Sequence, residues 1–119
     1  MAFVNVVVIQ SDPQHAESLA ATLGSRSCNV SVAASLDELR RAVKKQRVNA
    51  AVVDLDVVSM KEVTSLSRDL GVEVVCTHRV ADEKMWVDAV NAGALDVCYP
   101  TDANCISMAL CINQQSAAA

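Results

Sequence analysis

Polar side chains that could form a binding or catalytic site follow the short apolar segments of this sequence. They are Gln10, Ser11 and Asp12 after segment 3–9, Asp54 and Asp56 around the end of segment 49–55, Thr77 and His78 around the end of segment 72–77, and Tyr99 after segment 95–98. Carboxylates are ligands that Mg²⁺ prefers. A histidine can donate a hydrogen bond or titrate near neutral pH. The alternatives are an ordinary surface histidine for His78 and a solvated loop acid for Asp56.

The segments that lead into these residues have the composition of buried strands. They are short and rich in valine, and segment 3–9 is almost entirely apolar. Such segments are typical of strands that are covered on both faces. Strands are therefore predicted over 3–9, 29–34, 49–55, 72–77 and 95–98.

Amphipathic segments separate these strands and carry helix signals. Asp12-Pro13 predicts an N-cap followed by proline at the first helical position. Ser35 and Glu38 have the spacing of a capping box. The remaining helices are predicted around 63–70, over 82–92, and from a cap at residue 101 or 102 to about residue 114.

The order of elements is strand then helix, five times. Such alternation predicts an α/β fold, a (βα)5 three-layer sandwich with a five-stranded parallel sheet between helices. Ligands bind such sheets beyond the carboxyl ends of the strands, where the polar residues above lie. The three glycines all lie near helix ends, which argues against a glycine-rich phosphate loop. A Ser/His/Asp nucleophile elbow is not visible either.

Length and charge narrow the class of protein further. The chain has 119 residues, 52% of them hydrophobic, and a formal charge of −4. We expect one domain over residues 1–115, followed by a flexible tail at 116–119 or the start of a linker to an output domain. The acidic balance argues against nucleic-acid binding by this domain. The sequence has no membrane-spanning run and no signal region, so no membrane contact and a cytoplasmic location are expected.

Five cysteines lie inside otherwise apolar segments, at positions 28, 76, 98, 105 and 111. Their spacing does not match a zinc-binding pattern. A buried thiol behaves as a small apolar side chain. We therefore expect all five to be reduced and buried.

Four motifs together resemble the receiver domain of bacterial two-component response regulators. They are VVVIQSDP at 6–13, AAVVDLD at 50–56, VVCT at 74–77 and GALDVCYP at 93–100. The resemblance extends over about residues 3–114 and implies a flavodoxin-like (CheY-like) fold with strand order 2-1-3-4-5. It also implies that Asp54 has the phospho-acceptor position and Thr77 the conserved hydroxyl position of that family.

The sequence departs from the family pattern where the family binds metal and phosphate. Gln10 and Ser11 stand at the positions of the two metal-binding acids, and Tyr99 stands at the position of the lysine. Phosphoryl transfer depends on charge neutralisation by these groups, and losing one such partner costs about 3–4 kcal/mol. The main hypothesis is an atypical, phosphorylation-independent pseudo-receiver that is not an enzyme, needs no cofactor and acts through protein–protein interaction or dimerisation.

Two alternatives remain open. In the first, a histidine kinase or a small phosphodonor phosphorylates Asp54 with Mg²⁺, and Asp12, Asp54 and Asp56 hold the ion. In the second, the domain is a flavodoxin-like module that binds a small ligand at the strand ends, through Gln10, Ser11, Asp54, Thr77 and Tyr99.

The last helix is more apolar than a helix packed on one side of a sheet requires. The excess predicts a second contact surface for a protein partner or a homodimer. Receivers commonly use the fourth helix, fifth strand and fifth helix for this purpose. The predicted interface residues are Trp86, Val90, Leu95, Ile106, Ala109 and Leu110.

Overall fold

The computed structural model describes residues 4–25 and 28–118, with side chains through residue 110. The strands are β1 (Val4–Ile9), β2 (Cys28–Val32), β3 (Ala50–Asp54), β4 (Glu73–Thr77) and β5 (Asp96–Cys98). The helices are α1 (Pro13–Gly24), α2 (Leu36–Lys45), α3 (Met60–Thr64), α4 (Glu83–Ala92) and α5 (Ala103–Ala118). The predicted alternation of strands and helices is confirmed. Within the described ranges, no helix is long and apolar enough to cross a membrane.

The five strands form one parallel sheet in the order β2-β1-β3-β4-β5. The predicted strand order is therefore confirmed. The order changes direction between β1 and β3, which are neighbours in the sheet but not in the chain. Such a switch point opens a crevice at the carboxyl ends of the strands. Asp54, at the end of β3, is paired in register with Thr77 at the end of β4.

Apolar side chains from the two faces of the sheet form two separate cores. One core lies under α2, α3 and α4 and includes Leu39, Val63 and Ala89. The other lies under α1 and α5 and includes Leu19 and Ile106. The arrangement is the predicted three-layer sandwich, and its buried sheet holds the strand ends in fixed positions.

Side-chain caps define where the helices begin. Asp12 accepts a hydrogen bond from the backbone N–H of Gln14 at 2.9 Å, as an N-cap of α1. The capping box predicted at Ser35 is only half formed, because Glu38 accepts from the N–H of Ala34 instead of that of Ser35. A complete capping box, which the sequence analysis missed, joins Ser59 and Glu62 at the start of α3.

The third helix is not regular throughout, contrary to expectation. After α3 the chain continues as a π-helical turn over Ser65–Asp69, which ends with a hydrogen bond from the N–H of Leu70 to the carbonyl of Ser65. The wider turn keeps Leu66 fully buried and brings the Ser67 hydroxyl 3.3 Å from the carbonyl oxygen of Gly93. Apolar periodicity does not distinguish this wider turn from an α-helical one.

The last helix is longer than expected. Its backbone is helical to Ala118, whereas the sequence predicts an end near residue 114 and a tail from residue 116. Residues 113–118 contain no glycine or proline, and glutamine and alanine are good helix formers. Residue 119 of the predicted tail lies outside the described residues.

Replacing Gly93 by alanine should destabilise the domain. Gly93 has φ +111°, and an added Cβ would lie 2.6 Å from the Ser67 Oγ. We expect a loss of at least about 2 kcal/mol in the free energy of unfolding, because backbone strain and overpacking add. Urea denaturation measures this loss. The matched control is Gly24→Ala, where nothing lies within 4 Å of the added Cβ, and equal losses in the two variants would contradict the prediction.

Candidate functional site

Asp54 lies at the centre of the crevice at the carboxyl ends of the strands. It is the last residue of β3 and only 4% exposed. Its carbonyl oxygen accepts hydrogen bonds from the N–H groups of Val57 and Val58, so the chain turns sharply after the strand. The turn leaves the carboxylate facing the loop that follows β1.

Both carboxylate oxygens of Asp54 accept hydrogen bonds from the protein. Ser11 donates to Oδ2 twice, through its backbone N–H at 3.0 Å and its hydroxyl at 2.7 Å. The N–H of Asp56 donates to Oδ1 at 2.9 Å. The Asp54 carboxylate thus accepts three hydrogen bonds from uncharged donors, two from Ser11 in the loop after β1 and one from the backbone of Asp56 in the loop after β3.

These contacts decide the ionisation of Asp54. Burial alone would raise its pKa, but the hydrogen bonds from Ser11 and Asp56 and the nearby His78 outweigh burial and hold the pKa of Asp54 below its ordinary value. The carboxylate is therefore charged at neutral pH. The stability that it contributes is present above the ordinary pKa of an aspartate and is lost as the pH falls through the lowered value.

Replacing Ser11 by alanine should raise the pKa of Asp54 and weaken the fold at neutral pH. Losing a hydrogen bond to a charged group costs about 1.5–3 kcal/mol. The difference from the wild type should begin to shrink as the pH falls below the ordinary aspartate value of about 4, and it should vanish once the pH is also below the lowered pKa of Asp54 in the wild type. Urea denaturation against pH and carboxyl NMR titration measure the two effects.

The control for that prediction is Ser25→Ala. The Ser25 hydroxyl donates to the uncharged carbonyl of Thr22 at 2.7 Å, so any loss should not vary with pH. A Ser11→Ala loss that is equally constant over pH would show that Asp54 does not depend on the hydroxyl.

Gln10 and Thr77 close the floor of the crevice. The Gln10 side-chain amide donates from Nε2 to the Thr77 hydroxyl at 2.9 Å. Among the described residues the Gln10 Oε1 atom is buried without a hydrogen-bond partner. Thr77 is fully buried and its Oγ lies 3.5 Å from the carbonyl oxygen of Val53. A neutral amide and a hydroxyl thus lie where a metal site would need charged oxygens.

Asp56 faces His78 and Arg79 at the mouth of the crevice. The N–H of Val80 donates to Nδ1 of His78 at 3.0 Å, which leaves the ring proton on Nε2. That nitrogen lies 3.1 Å from Oδ1 of Asp56, and the Arg79 Nε lies 3.9 Å from Oδ2. The structure therefore shows Asp56 as an exposed loop acid that has two partners, the ring of His78 and the guanidinium of Arg79.

In the described part of the chain, the side chains of the other two sequence candidates, Asp12 and Tyr99, make no hydrogen bond to these residues. Asp12 caps α1 and is 3.9 Å from His15. Tyr99 is half exposed at the end of β5. The crevice thus brings together Gln10, Ser11, Asp54, Asp56, Thr77 and His78. Asp12 does not take part in the hydrogen bonds of the Asp54 carboxylate.

Among the described residues, the acidic side chains around Asp54 do not converge as a set of three metal ligands. Mg²⁺ requires several oxygen ligands in octahedral geometry, usually including one or two carboxylates. In the part of the chain that the structure describes, Asp12, Asp54 and Asp56 do not bring three ligand atoms together; the only converging set is Asp96, Cys98 and Cys105. The arrangement at Asp54 resembles a closed hydrogen-bond network instead of an ion site.

Comparison with solved structures identifies the fold. A response regulator from Burkholderia pseudomallei, solved with a phosphorylated aspartic acid, a calcium ion and citrate, has 25% identity and a TM-score of 0.77, over 90% of this chain and 66% of that chain. A CheY-like receiver domain protein from Methanospirillum hungatei JF-1 has 17% identity and a TM-score of 0.74, over 99% and 100%. The chain has the fold of response regulator receiver domains.

Another similar solved structure is a receiver domain dimer. The beryllofluoride-activated NtrC4 receiver domain dimer has 18% identity and a TM-score of 0.71, over 80% of this chain and 82% of that chain. No protein-family model and no curated protein matches the sequence. The match is therefore carried by the receiver fold and not by close sequence identity.

The predicted interface of this receiver fold divides into exposed and buried residues. Trp86, Val90 and Leu95 are partly exposed, and Met108, which the sequence analysis did not include, is 62% exposed. Ile106 and Leu110 are 0% and 4% exposed, because they face the sheet and fill the core under α1 and α5. These two residues do not lie on the outer face, and that part of the expectation is wrong.

The cysteines also depart from expectation. Cys98 and Cys105 form a disulfide between the end of β5 and the first turn of α5, with a Cα–Cα distance of 6.0 Å. The expectation of five reduced thiols is therefore wrong for this pair. Cys76 is buried, and burial raises the pKa of its thiol to about 12. The side chain of Cys111 lies outside the described residues.

The sequence contained a signal for this pair. Residue 98 ends a strand and residue 105 lies in the first turn of the next helix, so the intervening turn can bring both side chains to one place. A separation of seven residues matches no standard motif, so neither the pair nor the role of the neighbouring Asp96 is predicted from the sequence.

Proposed function

We propose that this chain is a phosphorylation-independent receiver domain of two-component-type signalling, which acts through protein–protein contacts. The observation that carries the proposal is the double hydrogen bond from Ser11 to Oδ2 of Asp54, at 3.0 and 2.7 Å. A serine thus holds the acceptor carboxylate where the family has a metal-binding acid.

The lack of positive charge next to Asp54, among the described residues, also supports a phosphorylation-independent receiver domain. The transferred phosphoryl group needs cations to neutralise the charge that develops. The Gln10 amide and the Ser11 hydroxyl are neutral, and the half-exposed Tyr99 cannot supply an ammonium group. The cationic Arg79 and the ring of His78 both face Asp56, at 3.9 and 3.1 Å, instead of Asp54.

An exposed apolar face is the proposed contact surface. This output face consists of the outer sides of α4, β5 and α5, with Trp86, Val87, Val90, Leu95 and Met108 exposed on it. Exposed apolar residues that cluster in this way are typical of protein–protein contact sites. A second copy of the domain is the proposed occupant, since the NtrC4 receiver domain is a dimer.

Treatment with a small phosphodonor and Mg²⁺ tests the proposal. We expect the intact mass to stay unchanged and the Trp86 fluorescence to stay unchanged on addition of beryllofluoride. Asp54→Asn is the control for modification at other sites. A stoichiometric mass increase in the wild type that is absent from Asp54→Asn would overturn the proposal in favour of a working phospho-acceptor.

A further inference from the structure

The Cys98–Cys105 disulfide adjoins a cavity that is lined by residues at the start of β5 and along α5. The cavity has a volume of about 510 Å³ and is open to solvent, and Cys105 is part of its wall. Cys98 is only 2% exposed and does not line the cavity. The two sulfurs of one bond therefore differ in access, and a small molecule in the cavity reaches Cys105 first.

The negative charge of the residues that line the cavity favours positively charged small molecules over negatively charged ones. Among the residues that the structure describes, the charged ones that line the cavity are Asp96 and Asp102, and none is a lysine, arginine or histidine. Asp96 is fixed in place, because its Oδ1 accepts hydrogen bonds from the indole N–H of Trp86 at 3.1 Å and from the N–H of Val97 at 2.8 Å. Its other oxygen, Oδ2, lies 3.7 Å from the Cys105 sulfur.

We propose that Cys98 and Cys105 form a reversible thiol–disulfide exchange site, at which cationic low-molecular-weight thiols react with Cys105 in preference to anionic ones. An approaching thiolate with a second negative charge is repelled by Asp96 and Asp102. A thiol that carries an ammonium group is attracted by the same carboxylates, and the apolar wall that includes Leu95 and Met108 accommodates its short carbon chain.

Reduction of the Cys98–Cys105 disulfide by two small thiols takes place in two steps. The first thiol loses its proton and attacks the Cys105 sulfur as a thiolate, a mixed disulfide forms there, and Cys98 leaves as a thiolate that takes up a proton. A second thiol then attacks the mixed disulfide, which releases the small-molecule disulfide and the Cys105 thiol. Two small thiols are oxidised to one disulfide, and the protein disulfide is reduced by two electrons. The reverse reaction begins when Cys105 attacks the small-molecule disulfide, and Cys98 then displaces the bound thiol.

The experiment compares three thiols of similar size on the oxidised protein: cysteamine (cationic), mercaptoethanol (neutral) and thioglycolate (anionic). The loss of the Cys98–Cys105 bond is followed by acid quenching, alkylation and mass spectrometry. Each rate is divided by the rate of the same thiol with hydroxyethyl disulfide, which removes differences in intrinsic reactivity. We expect the normalised rate to be about tenfold higher for cysteamine than for thioglycolate at low salt, and the ratio to fall in high salt.

Two variants assign the effect to the cavity. Asp96→Asn and Asp102→Asn should each lower the ratio of the cysteamine rate to the thioglycolate rate. Both substitutions remove the charge and keep a side-chain oxygen that can accept the same hydrogen bonds.

Cys98→Ser treated with cystamine should accumulate a mixed disulfide on Cys105. Cys76→Ser should leave the ratio unchanged, because Cys76 is buried elsewhere in the sheet. Three outcomes would overturn the proposal. The first is equal normalised rates for the three thiols, and the second is a mixed disulfide on Cys98 in Cys105→Ser that forms as fast as the one on Cys105 in Cys98→Ser. The third is the absence of a linked Cys98–Cys105 peptide from the oxidised protein.

Discussion

Replacing Gln10 and Ser11 together by aspartate is expected to give this domain a Mg²⁺ site and to make Asp54 reactive towards a small phosphodonor. The two new carboxylates would follow β1 beside Asp54, which the Ser11 N–H already contacts at 3.0 Å. Three carboxylates repel one another without metal and attract a divalent cation strongly. Recovering preorganised electrostatic partners is worth a factor on the order of 100 in rate.

Two measurements check this expectation. Mg²⁺ should raise the melting temperature of the double variant and leave that of the wild type unchanged, because a ligand that binds only the folded state stabilises it. Intact mass after acetyl phosphate treatment should show Asp54 modified in the variant. The control Gln10→Asn/Ser11→Asn has side chains of the same size without charge and should behave like the wild type. Labelling of this control as fast as of the aspartate variant would contradict the explanation by charge.

The fold could be predicted from the sequence because local and long-range signals agree. The valine-rich runs are too short for helices and too apolar for surface loops, and the caps at Asp12 and Ser35 place helices between them. Once the order is five strand–helix units, the handedness of the crossovers leaves few arrangements. The motifs at the strand ends then determine the strand order through the resemblance to receivers.

The sequence could predict which of these side chains lie together at the strand ends, but not how they contact one another. The sequence placed Gln10, Ser11, Asp54 and Thr77 at neighbouring strand ends, because parallel strands end at one edge of the sheet. It could not show that Ser11 donates twice to one oxygen of Asp54, since that depends on the direction of the loop after β1. The 3.1 Å contact between Asp56 and His78, which are 22 residues apart in the chain, depends in the same way on the conformation of two loops.

The output face shows that the apolar pattern of a helix does not distinguish its core residues from its surface residues. A helix that is apolar on most sides contains core and surface residues with the same composition, so Ile106 and Met108 are equally apolar in the sequence. Packing against the sheet separates them, and Ile106 is buried while Met108 is exposed. The number of apolar residues predicted a second surface, but only the orientation of α5 decides which residues lie on it.

Replacing Val90 by lysine is expected to weaken self-association of this domain by about 10- to 100-fold. Val90 lies on α4 in the output face, and 37% of it is exposed. A lysine there puts an unpaired charge into an apolar contact, and single substitutions at the centre of an interface typically change the binding free energy by about 1–3 kcal/mol. Lysine is a good helix former, so α4 itself should remain folded.

The control variant for Val90→Lys is Val32→Lys. Val32 ends β2 at the other edge of the sheet and is 51% exposed, so the same substitution adds the same charge far from the output face. Sedimentation velocity over a range of protein concentrations should show a shifted dimer equilibrium for Val90→Lys and wild-type behaviour for Val32→Lys. Equal effects of the two substitutions would assign self-association to net charge, and a monomeric wild type at all concentrations would remove the second copy as the occupant of this face.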